Sequence, residues 1–161
     1  MTRHPVAPAV WDKALSDAKS SANSLGNPVL SAVAFGNSVR NTGGASINLS
    51  TRKFLDNNEP AYMVGGEEGV SPAKVAPIAG SSEPALDDII RQMHRVKNSV
   101  GDSKDVYLGA WDDNTGNIVF DASRKYGNKG KAMNVARERR EDAIYDVKKQ
   151  QDIPVDYPGG K

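Results

Sequence analysis

With 161 residues, 38% of them hydrophobic and only ten aromatic, the chain has material for one modest domain with a small core, packed as two layers. A net charge of +1 argues neither for a polyanion binder nor for an acidic mimic of nucleic acid. The absence of cysteine excludes disulfides, thiolate metal sites and a thiol nucleophile.

Residues 1–27 form the first segment. Val10, Trp11, Leu15, Ala18, Ala22 and Leu25 recur at helical spacing, Pro8 suits a first turn and Gly26 a stop, so a helix is expected over residues 8–25. The opening Met1-Thr-Arg-His-Pro5 lacks the apolar run of a signal peptide. No window reaches the roughly 18 apolar residues of a membrane span. The expectation is a protein made in the cytoplasm with no membrane partner, with incorporation into a virion left open.

Residues 28–64 read as β-rich. Val29 to Phe35 could begin a strand, although the alanines leave a helix open. Ala45 to Leu49 alternates after the Thr42-Gly-Gly44 turn, and Ala61 to Val64 is a short apolar run ended by Gly65-Gly66. Between them, Ser50 to Pro60 is polar and reads as a loop. Residues 65–83 are rich in Gly, Ser, Pro and Ala and read as a flexible linker or surface arm, with Glu67-Glu68 as the one charge cluster.

The final segment, residues 84–155, is expected to be a helix leading into a ββαβ unit. Leu86, Ile89, Ile90, Met93 and Val96 share one helix face, with Ser82 as the expected N-cap and Asp87 and Asp88 suited to the first turn. Val106 to Trp111 and Asn117 to Asp121 then form a hairpin about Asp112-Asp-Asn-Thr-Gly116, where Gly116 can take positive φ. Asn128 or a neighbour caps a helix to about Arg140, with Ala132, Met133, Val135 and Ala136 inward. Ala143 to Val147 is a short strand, and Pro154 confines the last residues to an edge or tail. The fold class expected is α+β: a small, mainly antiparallel sheet with two or three packed helices. Trp111, Tyr107, Phe120 and Tyr145 are expected in its core.

No catalytic motif stands out. His4 and His94 are the only histidines, and His94 falls in a helix beside Arg91 and Arg95, where a surface role outweighs that of a ligand or base. A Ser-His-Asp triad lacks its Gly-x-Ser-x-Gly elbow. Asp112, Asp113 and Asn114 begin like a calcium loop, but Gly116 sits at the wrong step and no closing Glu completes it. Gly36, Gly43-Gly44 and Gly65-Gly66 fit neither a Walker nor a dinucleotide pattern. Hence no catalytic, metal or cofactor site is assigned and no cofactor is expected.

The strongest polar candidate is a basic cluster. Residues 124–140 hold Arg124, Lys125, Lys129, Lys131, Arg137, Arg139 and Arg140 against Glu138 alone, a local charge of +6. Arg124, Lys125, Lys129, Lys131, Arg137 and Arg140 are the candidate contacts to a polyanion or partner. At 100° per residue they do not line one face, so a solvated, salt-bridged helix outweighs that reading.

Tyr107 to Trp111, Gly116 to Ser123, Ala132, Ala136, Ala143 to Val147 and the upstream Ala61-Tyr-Met-Val-Gly65 together resemble a module of uncharacterised proteins from actinobacterial phages and other mobile elements. The resemblance covers roughly residues 40–155 and rests on turns and core positions. It implies a phage or mobile-element origin and brings no activity or catalytic residue with it. The function expected is non-enzymatic binding or assembly through protein-protein contacts, with a virion component as one form of it. The partners expected are proteins or a second copy of the chain. A nucleic-acid-binding or host-interacting effector using residues 124–140 is the first alternative, and a small hydrolase with His94 as base is the second.

Overall fold

A computed structural model of the chain describes residues 28–161. The helix expected over residues 8–25, and His4, lie outside the described residues. Among the described residues, three helices and seven strands run in the order α1 (Pro28–Thr42), β1 (Gly44–Asn48), β2 (Tyr62–Val64), β3 (Ala73–Val75), α2 (Leu86–Val100), β4 (Val106–Asp112), β5 (Ile118–Tyr126), α3 (Lys129–Glu138), β6 (Ala143–Asp146) and β7 (Gln151–Pro154). The strands form one antiparallel sheet in the order β1-β4-β5-β2-β6-β7, with β3 also paired to β5. The α+β class and the C-terminal ββαβ unit are therefore present.

Residues 28–42 are helix rather than the start of a strand. Ala32, Phe35 and Val39, at spacings of three and four, are all 0% exposed, a pattern no strand could place on one face. Gly36 lets α2 approach closely, since a Cβ there would lie 2.9 Å from Ile89 Cδ1. Ile89, Met93 and Val96 of α2 join Ala32, Phe35 and Val39 over Ile47, Val106, Leu108, Ala110, Ile118, Phe120 and Ala122. Phe35 and Phe120 stack with centroids 6.1 Å apart. Ala85, not Ser82, is the N-cap of α2, and its side chain makes no capping bond.

The helix α3 starts at Asn128, whose side chain accepts from the Lys131 N–H. Its buried Ala132 and Ala136 pack on Val64 and Ile144. Val64 is the cross-strand partner of Arg124, which shares a side of β5 with Ala122 and Phe120. All three described helices thus cover one face of the sheet. On the other face, Met63 and Tyr107 pack against Leu55, Ala61, Tyr145 and Val147, where the connection from β1 to β2 crosses. Trp111 also belongs to that face and, contrary to expectation, is not a core residue: it is 43% exposed, whereas Phe120 and Tyr107 are buried. Its cross-strand neighbour on β1 is Gly44, which has no side chain to cover the indole.

Residues 65–83 are not a free arm. Glu67 and Val70 are buried, β3 adds three residue pairs to β5, and Pro77 bridges to Pro84. The apolar content that composition undercounts is Val70 and Val75, both packed on the main core. A short β7, ending at Pro154, pairs with β6 at the sheet edge.

Candidate functional site

The strand β5 is long enough to pair β3 through Ile118–Phe120 and β2 through Tyr62–Val64 at Arg124–Tyr126, both along the same edge. Between these ladders, residues 121–123 face the chain that leaves β2. That chain fills the gap: Gly66 N–H donates to Asp121 Oδ2 at 2.9 Å and Glu67 N–H to the Ala122 carbonyl at 3.1 Å. Gly66 has φ +65°, and a Cβ there would meet Glu141 Oε1 at 2.8 Å. A Cβ on Gly65 would meet Glu141 Oε1 at 2.9 Å and Asp121 Oδ2 at 3.0 Å. The glycine pair therefore makes room for two carboxyl groups.

Glu67, 6% exposed, is neutralised by two guanidinium groups. Arg124 Nε donates to it at 2.8 Å and Arg139 Nη2 at 2.9 Å. Arg139 also donates to the Gly65 carbonyl at 3.1 Å. In this way the C-cap of α3, the exit of β2 and the middle of β5 are tied together. Burial raises the pKa of Asp121 above the ordinary carboxylate range, against its hydrogen bonds from Gly66 and Ala122 and the charges of Arg95 and Arg139. Burial also raises Glu141, and the charge on Asp121 raises it further.

The basic cluster is divided. Lys125 donates to both oxygens of Glu59 and to the Tyr107 hydroxyl. Burial works against its charge, but these partners outweigh it and its pKa is raised. Arg137 donates to the Asp156 carbonyl and to Asn134, and Arg140 lies over the Tyr157 ring. These three, with Arg124, serve the fold. Only at the start of α3 do candidates converge: Arg124, Lys125 and Lys131 border a cleft of about 600 Å³ with Asp105, Tyr126, Gly127 and Asn128. Lys131 lies over the Tyr126 ring, and Lys129 is exposed beside it.

His94 is exposed on α2. The carboxylates of the hairpin turn are used within it: Asp113 Oδ1 accepts from Thr115 N–H and Oγ–H and from Asn117 N–H, and Asp112 Oδ1 from Asn114 N–H. Those bonds from Thr115 hold the Asp113 pKa low. Gly116 takes φ +91°, the conformation its place in the turn requires. Among the described residues no group of three or more His, Asp or Glu is arranged to hold a metal, and no helix is long and apolar enough to cross a membrane. The Asp121–Glu141–Glu67 network escapes sequence reasoning because its members lie 20 or more positions apart or in a stretch that looks like linker; the one local signal is Gly65-Gly66 directly before Glu67.

The chain matches no family model, no curated protein and no solved structure at a significant level.

Proposed function

We propose that the chain is a non-enzymatic assembly protein of phage or mobile-element type that associates through the helix-free face of its sheet. One observation carries this reading: one of its two tryptophans, Trp111, stands 43% exposed on the β4–β5 hairpin. Gly44, Trp111 and Lys74 stand in one row across the sheet with Val119, which is itself buried. Exposed Trp beside a bare glycine is costly to hydrate and is the side-chain type that dominates interface energetics. The occupant we favour is a second copy of the chain. The net charge of +1 opposes no such pairing, and two hairpins related by a two-fold axis can each lay an indole against the other's row. Assembly of this kind suits a virion component, in keeping with the resemblance of residues 40–155 to phage modules. Sedimentation equilibrium tests it: the chain should self-associate and Trp111→Ala should be monomeric, whereas a wild-type monomer at high concentration contradicts the reading.

A second reading is favoured by the cleft at α3. That helix has no acid in its first turn and carries Lys129 and Lys131 there, so its positive end is reinforced rather than neutralised. An anionic partner, nucleic acid included, would relieve this. Duplex binding that weakens steeply with salt and is lost in Lys129→Glu with Lys131→Glu would support it; no binding at low salt removes it.

A further inference from the structure

The strand β7 and the residues after it hold to the fold through a small, specific seat. β7 lies at the outer edge of the sheet and pairs with β6 alone. Beyond it, Val155 N–H donates to the Asp142 carbonyl at 2.8 Å, and Val155 and Tyr157 pack on Ala132, Ala136 and Ile144. The Tyr157 hydroxyl donates to the Glu141 carbonyl at 2.5 Å, Arg137 Nε donates to the Asp156 carbonyl at 2.7 Å, and Lys161 pairs with Asp142. Arg140 and Lys161 lie over the Tyr157 ring. Residues 151–161 therefore act as an arm whose bonds to the rest of the fold run to β6, to the end of α3 and to the turn between them.

The join between β6 and this arm is strained. Val147 is buried, so the turn is confined to Lys148, Lys149 and Gln150, all exposed. Gln150 sits at φ 51°, in the left-handed region that is costly for any residue with a Cβ. At Gly43, Gly66 and Gly116 the chain takes such angles with glycine, which adopts them freely. The two adjacent lysines add like charge to the same turn.

We propose that the arm is exchangeable: residues 151–161 of one copy occupy the same seat on a second copy, with Lys148–Gln150 extended as the hinge. The exchanged pair repeats every arm contact across the two copies, so it differs from the closed chain only in the hinge and in the entropy of association. An extended hinge returns Gln150 to an ordinary φ. Pro154 and Pro158 restrict the released arm to extended forms, which reduces the entropy lost when it docks. The two hinges pass each other at the two-fold axis and bring their lysines together, so salt favours exchange. This contact is separate from the Trp111 face. It is entered only by unhooking β7, so a chain folded while dilute stays closed, and Trp111→Ala prepared in that way is monomeric. Where both contacts form, two different two-fold axes act on one chain and extend the assembly beyond a dimer.

Because the chain has no cysteine, an engineered disulfide between β6 and β7 reports which copy supplies the arm. Tyr145 and Asp152 face each other in that ladder, within disulfide reach. The full chain carrying Tyr145→Cys, Asp152→Cys and Trp111→Ala is refolded concentrated in high salt, then diluted and oxidised. It should run as a covalent dimer on a non-reducing gel, whereas the same chain refolded dilute should run as a monomer. Adding Gln150→Gly, which relieves the closed turn, should lower the dimer fraction at least about fivefold. Ala143→Cys with Pro154→Cys reads a second facing pair if the first does not fold. Monomers with internal disulfides at every concentration overturn arm exchange and leave the Trp111 reading standing. A dimer yield unchanged by Gln150→Gly also overturns it. Failure of the Trp111 contact shows separately, as a wild-type monomer when the dilute-folded chain is sedimented.

Discussion

The two halves of the sheet are held by different physics. Under α1 and α2, β1, β4 and the first half of β5 close on a continuous apolar core that includes Phe35, Ile47, Ile89, Leu108 and Phe120, each 0% exposed. Under α3, the second half of β5 with β2 and β6 buries a smaller apolar set, chiefly Val64, Ala132, Ala136 and Ile144. That half is completed by ionic groups: Glu67 with Arg124 and Arg139, and Asp121 beside Glu141. Apolar burial is non-directional and insensitive to pH, whereas a buried charge network is directional and depends on every partner. A sheet that changes its cement halfway along can loosen at one end while the other stays closed.

Mutations should expose this contrast. The largest effect is expected for Phe120→Ala, which removes a fully buried ring stacked on Phe35 and should cost about 3–5 kcal/mol by chemical denaturation. Arg139→Met leaves Glu67 with one guanidinium partner instead of two and should cost about 3 kcal/mol, with lost protection concentrated in β2 and α3. Asn128→Ala removes the cap of α3 and should cost about 1 kcal/mol, read from the same denaturation curves. Smallest in the monomer is Trp111→Ala, at under about 1 kcal/mol, because the indole is half outside the fold; its effect should fall on association. If Phe120→Ala and Arg139→Met disturbed the same amides equally, the distinction between the halves would fail.

Two sites, one in each half, should also answer pH in opposite directions. The lowered pKa of Asp113, set by its bonds from Thr115, supports the β4–β5 turn above the unfolded value near about 4, and this support is lost as pH falls through the folded one. Asp121 and Glu141, raised chiefly by burial, favour the folded state at low pH, and this contribution is lost as pH rises. Glu83, buried before α2 with Oε1 unpartnered, shifts in the same direction as that pair, so a bulk pH profile combines sites in both halves. Amide-resolved exchange should show the hairpin turn loosening in acid and residues 62–66 loosening toward neutrality.

How far the sequence foretells this arrangement depends on where each signal lies. The hairpin, Asn128 and the inward face of α2 rest on contacts within a few residues, and local pattern reveals them. The helix at Pro28–Thr42 is ambiguous in sequence because its Val and Ala content suits either state, and only packing on Ile89 and Phe120 decides. Of the candidate contacts, Arg124, Lys125 and Lys131 do converge on one cleft, but the first two are engaged by Glu67 and Glu59. Those acids stand 57 and 66 positions away, beyond any spacing rule. Residues 65–83 show the same limit: a composition that suits a linker hides Val70 and Glu67, whose burial is created by the gap along β5.

Amide-resolved hydrogen exchange of wild type and Glu141→Gln near pH 7 tests whether one half of the sheet is closed by apolar packing and the other is under electrostatic strain. Opening free energies should rise in the variant at residues 62–66 and 143–146 and stay unchanged at residues 106–110. A uniform change across both sets, or a fall at residues 62–66, would show that the two halves are not held differently.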